Sequence, residues 1–133
     1  MSLSFVSKWY SKIPEMEKDL PILLVDGRTY TPREIYEEVM KGSKLGSKLQ
    51  MKLESMYKRA TSPHTFSYED IREIRQVAYE RVKRVIENLP KGFSIVSVSG
   101  EVVSGEKILD VIGKKAIEYE MEKVIKLLRG EHG

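Results

Sequence analysis

The chain has 133 residues, of which 41% are hydrophobic and 32% charged, with a formal net charge of +3. That length holds one domain and is too short for two full ones, and the balance excludes a disordered or collagen-like chain. The sequence contains no cysteine, which excludes disulfides, zinc ribbons, iron–sulfur clusters and thiol catalysis together.

Residues 3–13 read as a short helix, because Phe5, Trp9 and Ile13 recur every four residues with Val6 and Tyr10 beside them. Pro14 ends it, since proline lacks the backbone donor and clashes with the preceding turn. A polar turn over Glu15 to Asp19 leads to a strand at Ile22–Val25, the turn dipeptide Asp26-Gly27 and a return strand at Arg28–Tyr30. Thr31-Pro32-Arg33-Glu34 starts a helix: threonine caps, proline suits the first helical position and Glu34 completes a capping box. Gly42 and Gly46 weaken the path before a longer helix through Leu49, Leu53 and Met56, and residues 61–65 form a loop. Ser67, with Asp70 three residues on, starts the clearest helix, whose apolar stripe is Ile71, Ile74, Ala78, Val82, Val85 and Leu89. Pro90-Lys91-Gly92 stops it, a second hairpin spans Phe93 to Val103, and Ser104 caps a last helix over roughly residues 105–129.

The expected fold class is therefore α+β and mostly helical, with four to five helices and one or two short β-hairpins in a single domain over 1–133. Leu20-Pro21, Val25-Asp26-Gly27, Thr31 and Ile35 are echoed by Leu89-Pro90, Val98-Ser99-Gly100, Ser104 and Ile108, with a constant offset of 73 residues from Val25 onward. The echo reads either as an internally duplicated helix–hairpin–helix unit, with halves 1–60 and 66–130 and a flexible tail at 130–133, or as ordinary turn-and-cap grammar recurring in an α+β domain.

Catalytic patterns are sparse. The two histidines are His64, in a Pro-His-Thr loop, and His132, in the terminal tail. Ser67 and Asp70 near His64 are accounted for as a helix cap and its first turn. Glu34, Glu37 and Glu38 sit at a helix start, while Glu118, Glu120 and Glu122 alternate and so spread around a helix instead of converging on a metal. Gly100–Lys107 departs from a phosphate loop because Glu106 stands between the glycine and the lysine. The expectation is no catalytic residues, no metal and no cofactor. Gly27–Ile35 resembles the Gly-Arg, Pro, Glu-Ile run of swapped-hairpin DNA-binding domains over nine residues. Those domains continue with strands where Leu45 to Tyr57 reads as helix, so no residues are carried over.

The charge is unevenly placed. Residues 41–60 carry six basic side chains against Glu54 alone, and Lys44, Lys48 and Lys52 line one helical face with Arg59 near the same stripe. Such a row can grip nucleic-acid phosphates, or it can be a solubilising face whose lysine stems cover apolar surface. Arg72, Arg75, Tyr79 and Lys83 form a second basic face, diluted by Glu69, Glu73, Glu80 and Glu87 into intrahelical salt bridging.

The last helix is apolar on two sides. Ile108, Leu109, Ile112, Ala116, Tyr119 and Leu127 take one side, assigned to the core; Ile117, Met121, Val124, Ile125 and Leu128 take another. The expected cover for the second side is a homodimer interface through Ile117, Met121, Val124 and Leu128, the alternative being a central helix sandwiched within one chain.

With 15 lysines and 16 glutamates against one asparagine and two glutamines, the composition follows the bias of hyperthermophile proteins. The chain carries no apolar run of the roughly 18 residues that would suggest a spanning helix, and Met1–Phe5 lacks a signal-peptide pattern. The expected function is a non-enzymatic structural or assembly protein of a thermophilic archaeon or archaeal virus, cytoplasmic or in the virion. It would act through homo-oligomerisation and protein contacts, with no membrane partner. Nucleic-acid binding through the basic 41–60 helix is the alternative.

Overall fold

A short helix, α1 (Leu3–Ser11), begins the fold, and its last turn tightens through Lys12 N–H to Trp9 O and Ile13 N–H to Tyr10 O before Pro14 stops it. The computed structural model describes the backbone of residues 3–88, 94–96, 102–104 and 108–130, and the side chains of residues 5–62, 64–88 and 113–130. A 3₁₀ turn at Glu15–Glu17 leads into the hairpin β1 (Leu23–Val25) and β2 (Arg28–Tyr30), with the register Leu23↔Tyr30, Leu24↔Thr29 and Val25↔Arg28. Asp26 and Gly27 both have positive φ, 50° and 79°. That is the type I′ geometry that matches strand twist, and it is why Asp-Gly signals this turn.

Helix α2 (Pro32–Lys41) starts at the expected capping box. Thr31 Oγ1 accepts from Glu34 N–H at 3.1 Å, and Thr31 N–H donates to Glu34 Oε1 at 2.9 Å. Gly42, at φ 73°, ends it. Helix α3 (Lys44–Ala60) follows almost at once, capped by Ser43, whose Oγ accepts from Gly46 N–H at 2.9 Å. After a 3₁₀ turn at Pro63–Thr65, α4 (Tyr68–Glu87) begins at the Ser67–Asp70 capping box. The second hairpin, β3 (Ser94–Val96) and β4 (Val102–Ser104), is antiparallel with Ile95↔Val103 at its centre. The final helix, α5 (Ile108–Leu128), is broken at Gly113, whose φ of 59° and ψ of −140° are not helical. The protein is thus α+β and mostly helical, with five α-helices and two two-stranded sheets among the described residues. The expected anchors Leu89, Pro90, Phe93, Val98, Ser99 and Gly100, together with His132, lie outside the described residues.

Among the described residues α4 and α5 form the most extensive helix pair, followed by α2 with α3, while β1 packs on both α3 and α4. The core gathers Val6 and Trp9 of α1, Ile22 and Leu23 of the first hairpin, Ile35, Leu49, Leu53, Ile74, Val77, Val124 and Leu128. Each fully buried aliphatic side chain contributes about 1.5–3 kcal/mol relative to exposure. Trp9 also ties the two ends of the chain, donating its indole N–H to the Leu127 carbonyl at 3.0 Å. Tyr10 stacks on Tyr36 at 4.3 Å, and Phe5 meets Tyr57 edge-on at 5.1 Å.

Two expectations change. Gly46 does not delay the second long helix but lies inside α3, because α2 and α3 touch backbone to backbone there. A Cβ at Gly46 would sit 2.2 Å from the Glu38 carbonyl oxygen and 2.6 Å from its carbon. The stripe of α4 is also turned. Ile74, Val77 and Ala78 are buried together with Asp70 and Arg81, whereas Val85 is 47% exposed. Both ionised side chains have inward partners, so the helix presents them to the core.

An alanine in place of glycine within a helix ordinarily stabilises by about 1 kcal/mol. At Gly46 the collision with Glu38 backbone reverses the sign, and Gly46→Ala is expected to cost on the order of 1–3 kcal/mol. Urea unfolding reads this as a lower midpoint at unchanged slope; a raised midpoint would refute the close α2–α3 contact.

Candidate functional site

Arg81 is the most unusual group in the core: its side chain has 0% exposure. A buried guanidinium is tolerated only when its donors are met. Nε donates to Glu120 Oε1 of α5 at 3.1 Å, Nη1 donates to the Pro21 carbonyl at 3.1 Å, and Nη2 donates to Glu17 Oε2 in a very short contact. Glu17, itself buried, takes Lys123 of α5 on its other oxygen at 2.8 Å. Burial alone would raise the Glu17 carboxyl, but hydrogen bonds from Lys123 and Arg81 outweigh it and hold the group below its ordinary 4.5. The Lys123 ammonium is raised, chiefly by its hydrogen bond to Glu17, with burial opposing.

This cluster joins the 3₁₀ turn, α4 and α5, and the sequence reading missed it. Glu17 was placed in a polar turn and Glu120 on a spread of alternating glutamates. A signal was present: Arg81 falls at i+3 and i+7 from Ala78 and Ile74, inside the apolar stripe. Beside the cluster, Arg33 binds Asp19 at 2.8 Å and Glu15 at 3.0 Å, and Arg84 donates to the Asp19 carbonyl. The polar turn is therefore fastened from two sides.

The basic row of α3 is divided among carboxylates of other elements. Lys48 pairs with Asp26 of the hairpin turn at 3.2 Å, Lys52 with Glu73 at 2.6 Å and Arg59 with Asp70 at 2.7 Å, while Lys44 is exposed. Asp70 thus caps α4 and holds Arg59; burial pushes its carboxyl up, and the Ser67 backbone N–H and Arg59 bring it below its ordinary 3.8. On α4, Arg72 pairs with Glu69 at 3.1 Å, in the intrahelical manner expected.

The two-sided helix is covered largely from within. Val124 and Leu128 have 0% exposure in the single chain, and Met121 and Ile125 pack half-buried against the same core. Ile117 is half-buried as well. Val124 and Leu128 are therefore buried within the single chain, where α4 and α3 pack on α5. Tyr119, assigned to the core side, is 66% exposed instead, because the α5 face turned inward is the one carrying Glu120, Val124 and Leu127. Ile108, Leu109 and Ile112 have side chains outside those described.

His64 is exposed on its 3₁₀ turn. One surface groove of about 350 Å³ is lined by Leu24, Glu69, Arg72, Glu73 and Gln76, and another of about 400 Å³ by Met51, Glu54, Ser55, Lys58 and Arg59. Glu73 and Arg59 in these grooves are already engaged by Lys52 and Asp70. Among the described residues no group of three or more carboxylates and histidines is placed to hold a metal, and no helix is long and apolar enough to cross a membrane. The chain matches no protein-family model, no curated protein and no solved structure.

Removing one partner of a buried ion network leaves an uncompensated charge, so Arg81→Ala is expected to cost about 3–5 kcal/mol in chemical denaturation. Acid should act through the same groups. Glu17 and Asp70 have depressed folded pKa values, so their stabilisation is complete above the ordinary 4.5 and 3.8 and is lost as pH falls through the lower folded values. In Glu17→Gln the urea midpoint should therefore start lower at neutral pH and fall less steeply on acidification below about 4.5; a slope equal to wild type would remove Glu17 from the acid response. Val124→Glu should abolish the helical circular dichroism signal, since the charge enters the core of one chain.

Proposed function

We propose that this is a non-enzymatic structural or assembly protein that works through homo-oligomerisation and protein contacts. The supporting observation is the set of large apolar side chains held outward on a firmly braced scaffold: Met16 and Tyr68 are 87% exposed, Met51 is 71% exposed and Tyr119 is 66% exposed. Methionine and tyrosine are the residue types enriched where proteins meet. The ionised groups drawn toward the core are spent on one another, which suits a rigid building block. The lysine- and glutamate-rich composition with few amides, and the ion networks it forms, fit a thermophilic source, archaeal or viral.

Nucleic-acid binding through Lys44, Lys48, Lys52 and Arg59 is the second reading, and the ion pairs weigh against it. Phosphates would have to displace Asp26, Glu73 and Asp70 from three of the four. Its remaining support is the excess of positive charge on residues 41–60.

Sedimentation equilibrium at tens of micromolar protein tests the first reading: a concentration-dependent mass above 15.3 kDa is expected, and a monomer throughout would overturn it. A gel shift with duplex and single-stranded DNA separates the two readings. No salt-sensitive shift is expected; one that disappears in Lys48→Glu/Lys52→Glu would establish the nucleic-acid role instead.

A further inference from the structure

Because Arg81 faces inward, α4 keeps an apolar remainder on its outer side. The buried line of the helix runs through Asp70, Ile74, Val77, Ala78 and Arg81. Ile71, Val82 and Val85, which the sequence placed on the core stripe, are left at the surface, the first two half-buried and Val85 exposed. Tyr68 and Tyr79 are exposed and Ile86 is half-buried on the same side. Tyr68, Arg72, Arg75, Tyr79, Val82 and Ile86 follow one another at alternating steps of four and three residues, the spacing of a seam between paired helices. Tyrosine and arginine are the residue types that dominate binding energy where proteins meet.

A polar flank runs beside this seam through Glu69, Arg72, Gln76, Glu80 and Lys83. Laid antiparallel on a second α4 about Gln76, Glu69 falls opposite Lys83, Arg72 falls opposite Glu80 and Gln76 falls opposite itself. No two like charges of α4 oppose each other in that register, whereas parallel pairing would set every charge against its own copy. In the single chain the flank is held only by exposed contacts along the helix, Arg72 with Glu69 at 3.1 Å and Gln76 donating to Glu80 at 3.3 Å. Arg75 and Lys83 have no ion pair among the described residues. Exposed pairs of this kind contribute little, so exchanging them for contacts with a second copy costs little.

We propose that the outer face of α4 is a homodimer interface, packing antiparallel on α4 of a second copy across a twofold axis near Gln76. This rests on the assembly reading and names its surface and its occupant. A twofold contact uses the same patch on both subunits, so the patch must complement itself, and the charge order of this flank does. In the seam, Tyr79 meets Arg75 of the second copy, a guanidinium against a ring, and Tyr68 meets Ile86. The 20 residues of α4 give a contact about 30 Å long. The inner side of the helix stays on α5 and β1, so the dimer forms without disturbing Arg81 and its acceptors.

Charge exchange in the full chain tests the pairing. Glu69→Lys and Lys83→Glu should each raise the dimer Kd about tenfold in sedimentation, because each sets like charges opposite one another at two symmetric places. The double variant Glu69→Lys/Lys83→Glu should return the Kd to within about threefold of wild type, and helical circular dichroism should persist in all three. The chain has no native cysteine, so Gln76→Cys should be captured as a dimer by a short bismaleimide, while Met51→Cys, exposed on α3, should not. A wild type that sediments as a monomer overturns the assembly reading and this interface with it. A dimeric wild type whose Kd neither reversal moves, or that the double variant fails to restore, overturns the α4 interface alone, as does cross-linking through Met51→Cys in place of Gln76→Cys. Should a reversal variant fail to fold, the two cysteine variants still decide.

Discussion

Arg81 is the constraint around which the rest of this fold is arranged. A guanidinium with no exposure must find acceptors or it unfolds the protein. Here it finds them in three places that are distant in sequence: Glu17, 64 residues away, the Pro21 carbonyl, 60 away, and Glu120, 39 away. Placing those acceptors around one side chain fixes how the 3₁₀ turn, the entry to β1 and helix α5 sit on α4. The same residue accounts for the rotation of α4, whose buried line runs through Asp70, Ile74, Val77 and Arg81, and for the inward turn of the α5 face that carries Glu120.

A buried ion pair adds little stability over an apolar packing of the same shape, so its value lies elsewhere. In this chain it ties the 3₁₀ turn, the entry to β1 and α5 to α4, and an arrangement that separated Arg81 from these acceptors would strand a buried charge. High temperature lowers the desolvation cost of such groups, which agrees with a composition rich in lysine and glutamate. Lys123, on the other oxygen of Glu17, extends the network toward solvent, and Arg33, bridging Asp19 and Glu15, fastens the same turn separately.

The rest of the molecule is divided between what is closed and what is left open. Trp9 on Leu127, Gly46 against Glu38 and the paired α3 lysines close the helical body. Met16, Met51, Tyr68 and Tyr119 stay outward, and the assembly reading rests on them.

Local grammar was legible in the sequence because local physics decides it. The Thr31–Glu34 and Ser67–Asp70 boxes, the Asp26-Gly27 turn, the Pro14 stop and the mostly helical α+β class follow from residues within a few positions of one another. What each face meets was not legible, because burial depends on partners far along the chain. Val124 and Leu128 had the pattern of an interface and became core; Tyr119 had the pattern of core and became surface. Lys48, Lys52 and Arg59 shared a face, yet Asp26, Glu73 and Asp70 were brought to them only by folding. Glu17 read as a solvent-facing turn residue because nothing near it in sequence announces a buried arginine. Periodicity reports which residues share a side of a helix, and only the tertiary structure decides what that side is pressed against.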